Sequence, residues 1–127
     1  MKRYHLTVRN RLLFTRAALR QQKLFRVVSL LIDTGASQSI ISWETLLSLT
    51  IDPSSSTIRK QVTTANGLVW MPQVEIEELH ALGQNVASLR VLAHTIPLGS
   101  QVNGVLGMDF LMQFGFKLDL KQAVIQS

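Results

Sequence analysis

The chain has 127 residues, of which 46% are hydrophobic and 17% are charged, a composition typical of a globular domain and not of a disordered segment. It contains no cysteine, which excludes disulfide scaffolds, thiolate metal sites and cysteine nucleophiles. The net charge is +5, yet no acid precedes Asp33, so the basic residues are concentrated near the N-terminus. The most apolar stretch, Val27–Ile32, is far shorter than the roughly 20 residues of a membrane span. We therefore expect one domain over residues 1–127, with no membrane span.

Strand patterns dominate the N-terminal third. Tyr4–Arg9 alternates and is rich in β-formers, and Phe25–Ile32 has the apolar character of a buried strand that ends at Asp33. Leu12–Arg20 fits either a strand or a helix. Because the basic residues alternate with apolar ones here, we interpret them as solvated strand faces and not as an arm for nucleic acid or membrane.

A short helix and a hairpin are predicted in the middle of the chain. Ser42 has the context of a helix N-cap, which predicts a helix over 43–49. Asn66-Gly67 lies between the β-rich segments Ile58–Ala65 and Leu68–Met71. Asn-Gly is the strongest short hairpin signal, because both residues tolerate a positive φ. We therefore predict a two-residue turn at Asn66-Gly67.

The remaining segments read as strands and one more short helix. Helical spacing over Asp109–Phe114 predicts that helix, with Gly115 as its C-cap. The predicted strands are Val74–Leu79, Val86–Leu92 and His94–Ile96, followed by a closing hairpin of Phe116–Leu120 and Ala123–Ile125. The fold class is therefore mainly β, with one or two short helices.

The segment that carries chemistry is Leu30–Ser37, in which an acid, a threonine and a glycine follow a buried strand directly. Asp-Thr-Gly alone is a weak signal, and a strand end capped by a polar turn is the simpler interpretation. A second apolar-apolar-Gly element, Val105-Leu106-Gly107, follows about 70 residues later and opens a helix-like stretch. The predicted hairpin lies between the two motifs.

This combination resembles the retropepsin family, the single-domain aspartic proteases of retroviruses and their cellular and bacterial relatives. The resemblance covers nearly the whole chain and is closer to the cellular and bacterial members. It implies a mainly β, single-lobe acid-protease fold, a homodimer with one shared active site and a polypeptide substrate. It implies no metal or organic cofactor.

The resemblance also implies roles for individual residues. Asp33 is implied as the catalytic aspartate, and the Thr34 hydroxyl as the group that locks the two active-site loops across the dimer axis. The Gly35 carbonyl is implied to accept a hydrogen bond from the substrate backbone. Further substrate-binding positions are Ser37, the flap-tip residues Ala65, Asn66 and Gly67, and the pocket-wall pair Val105 and Leu106, which also supports the catalytic loop.

The chain departs from the retroviral pattern at one ion pair. Retroviral members place an acid near the position of Ser37 and an arginine at the position of Met108. Both halves are missing here, which is self-consistent and indicates a non-viral relative. The resemblance further implies an intersubunit sheet built from the strands near Leu6–Val8 and Ala123–Ile125.

Elementary chemistry agrees with a dimer. Peptide hydrolysis by carboxylates needs two of them sharing a proton, one acting as base on a water and the other polarising the carbonyl. Only Asp33 lies in a suitable motif, because Asp109 is at a predicted helix start, where an acid suits the macrodipole. One chain therefore has half a site, which a C2 homodimer would complete.

Two alternatives belong to other functional classes. A non-catalytic dimerisation or peptide-binding module would keep the same fold, although the intact Asp-Thr-Gly argues against it. A basic nucleic-acid-binding module led by residues 2–26 would show salt-dependent binding. The three histidines lack metal-ligand spacing. We expect no nucleic-acid partner, and since the lack of cysteine fits a reducing compartment, we expect a cytoplasmic protein.

Overall fold

The computed structural model describes residues 2–64, 66–95 and 101–127. Strands dominate these ranges, which confirms the predicted mainly β fold with two short helices. No helix within these ranges is long and apolar enough to cross a membrane. The elements are β1 Arg3–His5, β2 Thr7–Arg9, β3 Leu12–Gln21, β4 Leu24–Ile32, β5 Ile40–Ser42, α1 Trp43–Ser48, a 3-10 turn Pro53–Ser55, β6 Arg59–Thr64, β7 Gly67–Ala81, β8 Gln84–His94, β9 Gly104–Leu106, α2 Met108–Leu111, β10 Lys117–Asp119 and β11 Val124–Gln126.

Six strands close into a curled sheet around the core. The larger sheet has the order β2-β3-β4-β9-β5-β8-β7-β6, and β3 also pairs with β7, so β3, β4, β9, β5, β8 and β7 form a ring. Alternate residues of these strands point into the ring, as the two-residue period of a strand requires. The fully buried side chains include Leu19, Leu30, Ile41, Ile76, Leu79, Val91, Leu106 and Phe110.

Tertiary pairing resolves the ambiguous and divided elements. Leu12–Arg20 is a strand, because β3 pairs with β4 along its length and with β7 near its end. The predicted strand Val74–Leu79 is part of the long β7, and Val86–Leu92 continues through His94 in β8; Ile96 lies outside the described residues. The prediction that Gly115 caps α2 is wrong. The helix ends at Leu111, where Gln113 N–H bonds the Phe110 carbonyl and tightens the last turn.

The pairing of β4 with β9 positions the end of β4. The two strands run parallel, with Leu31 opposite Val105 and Ile32 opposite Leu106, so both end at the same edge. At Gly104 a Cβ would lie 2.1 Å from the Ile40 carbonyl oxygen, so only glycine lets β9 approach β5 so closely. The residue that follows β4, Asp33, is therefore held beside the start of α2.

The two ends of the chain pair with each other. A three-stranded sheet has the order β1-β11-β10, and Leu6 N–H also donates to the Ala123 carbonyl at 2.8 Å. The predicted N-terminal strand is divided at this point, because Thr7–Arg9 turns away to pair with β3. The strands expected in an intersubunit sheet thus find their first partners within one chain. The outer strands of the terminal sheet are β1 and β10.

A surface ion cluster makes a testable contribution to stability. The Arg20 guanidinium donates to Glu77 at 2.9 Å and to Glu78, and the Asn85 amide also donates to Glu78. The Asn85 hydrogen bond, followed by the Arg20 hydrogen bond, lowers the pKa of Glu78 from its usual 4.5. A carboxyl whose pKa is lowered by folding stabilises the protein above its unfolded pKa, and loses that contribution as the pH falls through the folded value.

We therefore expect Glu78→Gln to lower Tm slightly near neutral pH, and to have no effect once the pH lies well below 4.5. Thermal unfolding of both proteins over this pH range measures the difference. A Glu78→Gln effect that persists in acid would contradict the ionic origin.

Candidate functional site

The Asp-Thr-Gly segment forms a tight turn directly after β4. Gly35 N–H donates to Asp33 Oδ1 at 2.8 Å, and Ala36 N–H donates to the Asp33 carbonyl at 3.2 Å. A Cβ at Gly35 would lie 3.2 Å from the same carboxylate oxygen, which is a crowded contact, so glycine favours this approach. The turn therefore holds one oxygen of the half-buried Asp33 carboxylate in a defined orientation.

Backbone contacts fasten this turn to the junction between β9 and α2. Asp33 N–H donates to the Leu106 carbonyl at 3.1 Å, and Met108 N–H donates to the Ala36 carbonyl at 2.8 Å. A Cβ at Gly107 would lie 2.8 Å from the Ala36 carbonyl oxygen, so glycine is required where the two segments touch. The two sequence motifs, far apart in the chain, are in direct contact.

A buried serine adds a side-chain connection between the same segments. Ser39 is fully buried, and its Oγ donates to Asp109 Oδ1 at 2.7 Å and accepts from Gly107 N–H at 3.0 Å. Ser39 N–H donates to the second oxygen, Asp109 Oδ2, at 2.9 Å. Ser37 and Met108 occupy the two positions of the retroviral ion pair and cannot form it. The Ser39 hydroxyl and the Asp109 carboxylate connect the loop to α2 instead. Ser39 was not predicted from the sequence; the signal is a small polar residue directly before a strand and close to the motif.

Asp33 opens into a cleft of about 540 Å³ between its own loop and the hairpin of β6 and β7, referred to below as the Asp33 cleft. Asp33 is the only acid among the described residues that line it. The aliphatic lining consists of Ile40, Val62, Met71 and Leu92, and the polar lining includes Ser37, Gln38, Gln61, Thr63, Thr64 and His94. A cleft with apolar patches and one carboxylate suits an extended peptide better than a small ionic ligand.

The predicted site residues outside the hairpin fall into three groups. Gly35 and Ser37 line the cleft together with Asp33. Thr34 is exposed on the turn, and its hydroxyl makes no hydrogen bond to any described part of the chain. Val105 and Leu106 lie behind the loop in β9, outside the cleft lining, with Leu106 fully buried and its carbonyl holding Asp33.

The prediction that Gly67 is a turn residue of the hairpin is wrong. Gly67 pairs with Thr64 as the first residue of β7, and its φ is 110°. The Thr64 side chain supports this pairing, because Thr64 Oγ1 accepts from Asn66 N–H and donates to the Gly67 carbonyl, which closes the loop locally. Asn66 and Gly67 are exposed at the hairpin tip, outside the cleft lining; Ala65 lies outside the described residues.

Further cleft residues come from strands that carry no motif. The β6 segment from Gln61 to Thr64, together with Met71 of β7 and His94 of β8, forms a wall of the cleft outside the Asp33 loop. Gln38 connects this wall to the loop, because its amide donates to Gln73 Oε1 at 2.9 Å. Nothing in their local pattern distinguishes these positions from ordinary strand residues. Within the described ranges, no three metal-ligating side chains lie together.

Comparison with known proteins adds two findings. Residues 22–110 match a protein-family model described as aspartyl protease. The fold is similar to the crystal structure of a retropepsin-like aspartic protease from Rickettsia conorii, with a TM-score of 0.72, 22% sequence identity and 99% of each chain covered. A likeness at this identity concerns the fold, and it confirms the predicted single-lobe acid-protease architecture. The chain has no match among curated protein sequences.

Proposed function

We propose that this chain, which belongs to the aspartyl protease family, is one half of a homodimeric endopeptidase whose active site is formed by two copies of Asp33. The family match and the retropepsin-like fold support a peptidase. The observation that carries the dimeric proposal is that Asp33 is the only acid among the described residues of its cleft. Peptide hydrolysis by this chemistry needs two carboxylates.

The other aspartates of the chain are engaged elsewhere. Asp109, at the start of α2, already accepts hydrogen bonds from Ser39 N–H, Ser39 Oγ and Phe110 N–H. Asp52 caps the 3-10 turn, and Asp119 accepts from Gln122 N–H in the β10–β11 turn. A second carboxylate for Asp33 therefore comes from a second copy of the chain, and a two-fold axis is the arrangement that brings identical groups together.

In the proposed dimer, the two Asp33 carboxylates share one proton. The ionised group removes a proton from the attacking water, and the protonated group polarises the carbonyl of the scissile bond. The hydrogen bond from Gly35 N–H orients each carboxylate for this exchange.

The cleft favours an extended polypeptide with apolar side chains. Ile40, Val62, Met71 and Leu92 provide aliphatic surface beside Asp33. The β6–β7 hairpin would act as a flap over the bound peptide, with backbone pairing along the chain and pockets for alternate side chains. Its tip is exposed, which suits a segment that opens and closes.

Thr34 supports the proposed dimer. It follows Asp33 directly, is exposed, and has a hydroxyl without a partner within the described ranges. Across a two-fold axis near Asp33, this hydroxyl would meet the opposite loop. The terminal sheet would add to the interface along the outer edge of β1 or β10, because the central strand β11 is already paired on both sides within the chain.

We expect Thr34→Ala to raise the dissociation constant of the dimer by about tenfold, which corresponds to the loss of one hydrogen bond per subunit. Specific activity should then fall as the protein is diluted, since dissociation leaves half-sites. Sedimentation and activity over a dilution series measure both effects. Thr57→Ala, at an exposed loop position, is the control. An unchanged dimer with unchanged activity at low concentration would contradict the proposed contact.

Digestion of a peptide library tests the function itself. We expect cleavage by the wild-type protein, and loss of cleavage on addition of a pepstatin-type inhibitor. Absence of cleavage between acid and neutral pH, by a protein shown to be a dimer, would reject the endopeptidase. Binding of library peptides without cleavage would instead identify a non-catalytic peptide-binding module with the same fold.

A further inference from the structure

We infer that Ser39 and Asp109 form a positioning pair that holds the Asp33 loop against α2, so that the two carboxylates of the dimer can share their proton. The inference rests on the proposed function. It assigns a role to a serine and an acid that lie outside the lining of the Asp33 cleft. Neither residue is proposed to touch the substrate.

The loop from Asp33 to Ser39 is attached to residues 106–109 at three places. Backbone hydrogen bonds attach its start, through Asp33 N–H and Leu106, and its middle, through Ala36 and Met108 N–H. The third attachment, at Ser39, includes the contact between the Ser39 hydroxyl and the Asp109 carboxylate. This contact is the attachment that depends on side chains, so it can be removed by substitution while the backbone hydrogen bonds remain.

The Ser39 hydroxyl is fully used. It donates to Asp109 Oδ1 and accepts from Gly107 N–H, at a position with no exposed surface. Removing it leaves the Gly107 N–H without its acceptor, and a buried donor without an acceptor is costly. Gly107 is the residue next to Leu106, whose carbonyl holds the Asp33 N–H. Loss of the hydroxyl is therefore transmitted to Asp33 through two adjacent residues.

The consequence concerns turnover more than binding. Two carboxylates share a proton only when their oxygens stay within hydrogen-bond distance, and displacement of a reacting group by about 1 Å costs up to roughly a hundredfold in rate. The aliphatic surface that would bind substrate side chains belongs to other residues, Ile40 and Met71 among them. We therefore expect kcat to fall while KM stays nearly constant.

The test compares Ser39→Ala, Asp109→Ala and the double variant with the wild-type protein. We expect each single variant to lower kcat by about 10- to 100-fold with KM changed less than about twofold. The double variant should lose less than the two single effects combined, because both substitutions remove the contact between the Ser39 hydroxyl and the Asp109 carboxylate. Gln113→Ala is the control, since Gln113 donates to the Asp109 carbonyl at 2.9 Å without contacting its carboxylate. It should retain wild-type kinetics.

The pH profile separates positioning from a smaller folded fraction. A positioning defect changes the geometry of the carboxylate pair, so the acid and basic limbs of kcat should move. Loss of folded protein would lower kcat equally at every pH, and titration with a pepstatin-type inhibitor corrects for it. Variants that keep wild-type kcat and pH profile, or whose effects add, would overturn the inference.

Hydrogen exchange keeps the inference testable apart from activity. If the wild-type protein and Gln113→Ala both fail to cleave peptides, the proposed function fails. The effect of the positioning pair on the loop is then measured by the exchange rates of the Gly35 and Gly107 amides. Faster exchange of both amides in folded Ser39→Ala supports the pair, and unchanged exchange overturns it.

Discussion

Replacing Asp33 by Asn is expected to lower kcat for peptide hydrolysis by roughly 10⁴-fold or more, while the protein remains folded and dimeric. Asparagine keeps the shape of the side chain, and its carbonyl oxygen can still accept the hydrogen bond from Gly35 N–H. It cannot take up or share the proton that the mechanism moves between two carboxylates. Kinetics on a cleavable library peptide, with sedimentation of the same sample, measures activity and assembly together.

Asp52→Asn is the matched control for this substitution. Asp52 is exposed in the 3-10 turn, and the amide oxygen of asparagine can still cap Ser54 N–H. The chemical change is the same, and we expect activity to stay within about twofold of the wild type because the position lies outside the cleft. Full activity in purified Asp33→Asn would reject the proposed active site.

Replacing Gly67 by Val is expected to cut turnover by about tenfold or more while lowering Tm by roughly 5–10 °C. Gly67 has a φ of 110°, a conformation that β-branched residues strongly disfavour. A Cβ there would meet no atom within 4 Å, so the whole cost is backbone strain, of order 1–3 kcal/mol. The exposed tip adds little to the core. A change in its shape therefore acts on closure over substrate more than on stability.

Gly115→Val is the matched control, because a Cβ at Gly115 also meets open space and its φ is not in the left-handed region. It should keep wild-type turnover.

Hydrogen exchange tests the flap assignment directly. Protection of the 62–71 amides equal to that of the Phe25–Ile32 strand, with no response to an active-site inhibitor, would show that the hairpin is an ordinary packed edge of the sheet.

Local patterns predicted much of the fold. Ser42 was expected to cap a helix, and its side chain accepts from Thr45 N–H at 3.1 Å. The closing hairpin near the C-terminus forms as β10 and β11. These features depend on residues that are close together in the sequence. Helix caps, apolar alternation and turn residues can therefore be recognised in a single sequence.

The sequence left an element undecided, or misplaced its end, where a distant segment or a local side chain determines the structure. The spacing of apolar residues in Leu12–Arg20 fits both a strand and a helix. The segment is a strand because it pairs with β4 and β7. The turn expected at Asn66-Gly67 does not include Gly67, because the pairing of Thr64 with Gly67 sets the hairpin register. Turn propensity alone leaves neighbouring registers close in energy.

The sequence by itself determined the Asp-Thr-Gly turn at the end of a buried strand, and the second motif at Val105-Leu106-Gly107, because a strand, a tight turn and a glycine contact are encoded by adjacent residues. Only the tertiary structure decided that these motifs touch, that Ser39 meets Asp109, and that β6, β7 and β8 supply a wall of the Asp33 cleft. It also decided that the chain ends pair with each other. These contacts join residues far apart in sequence, and their partners are chosen by packing and hydrogen-bond satisfaction in the folded chain, which no local pattern records.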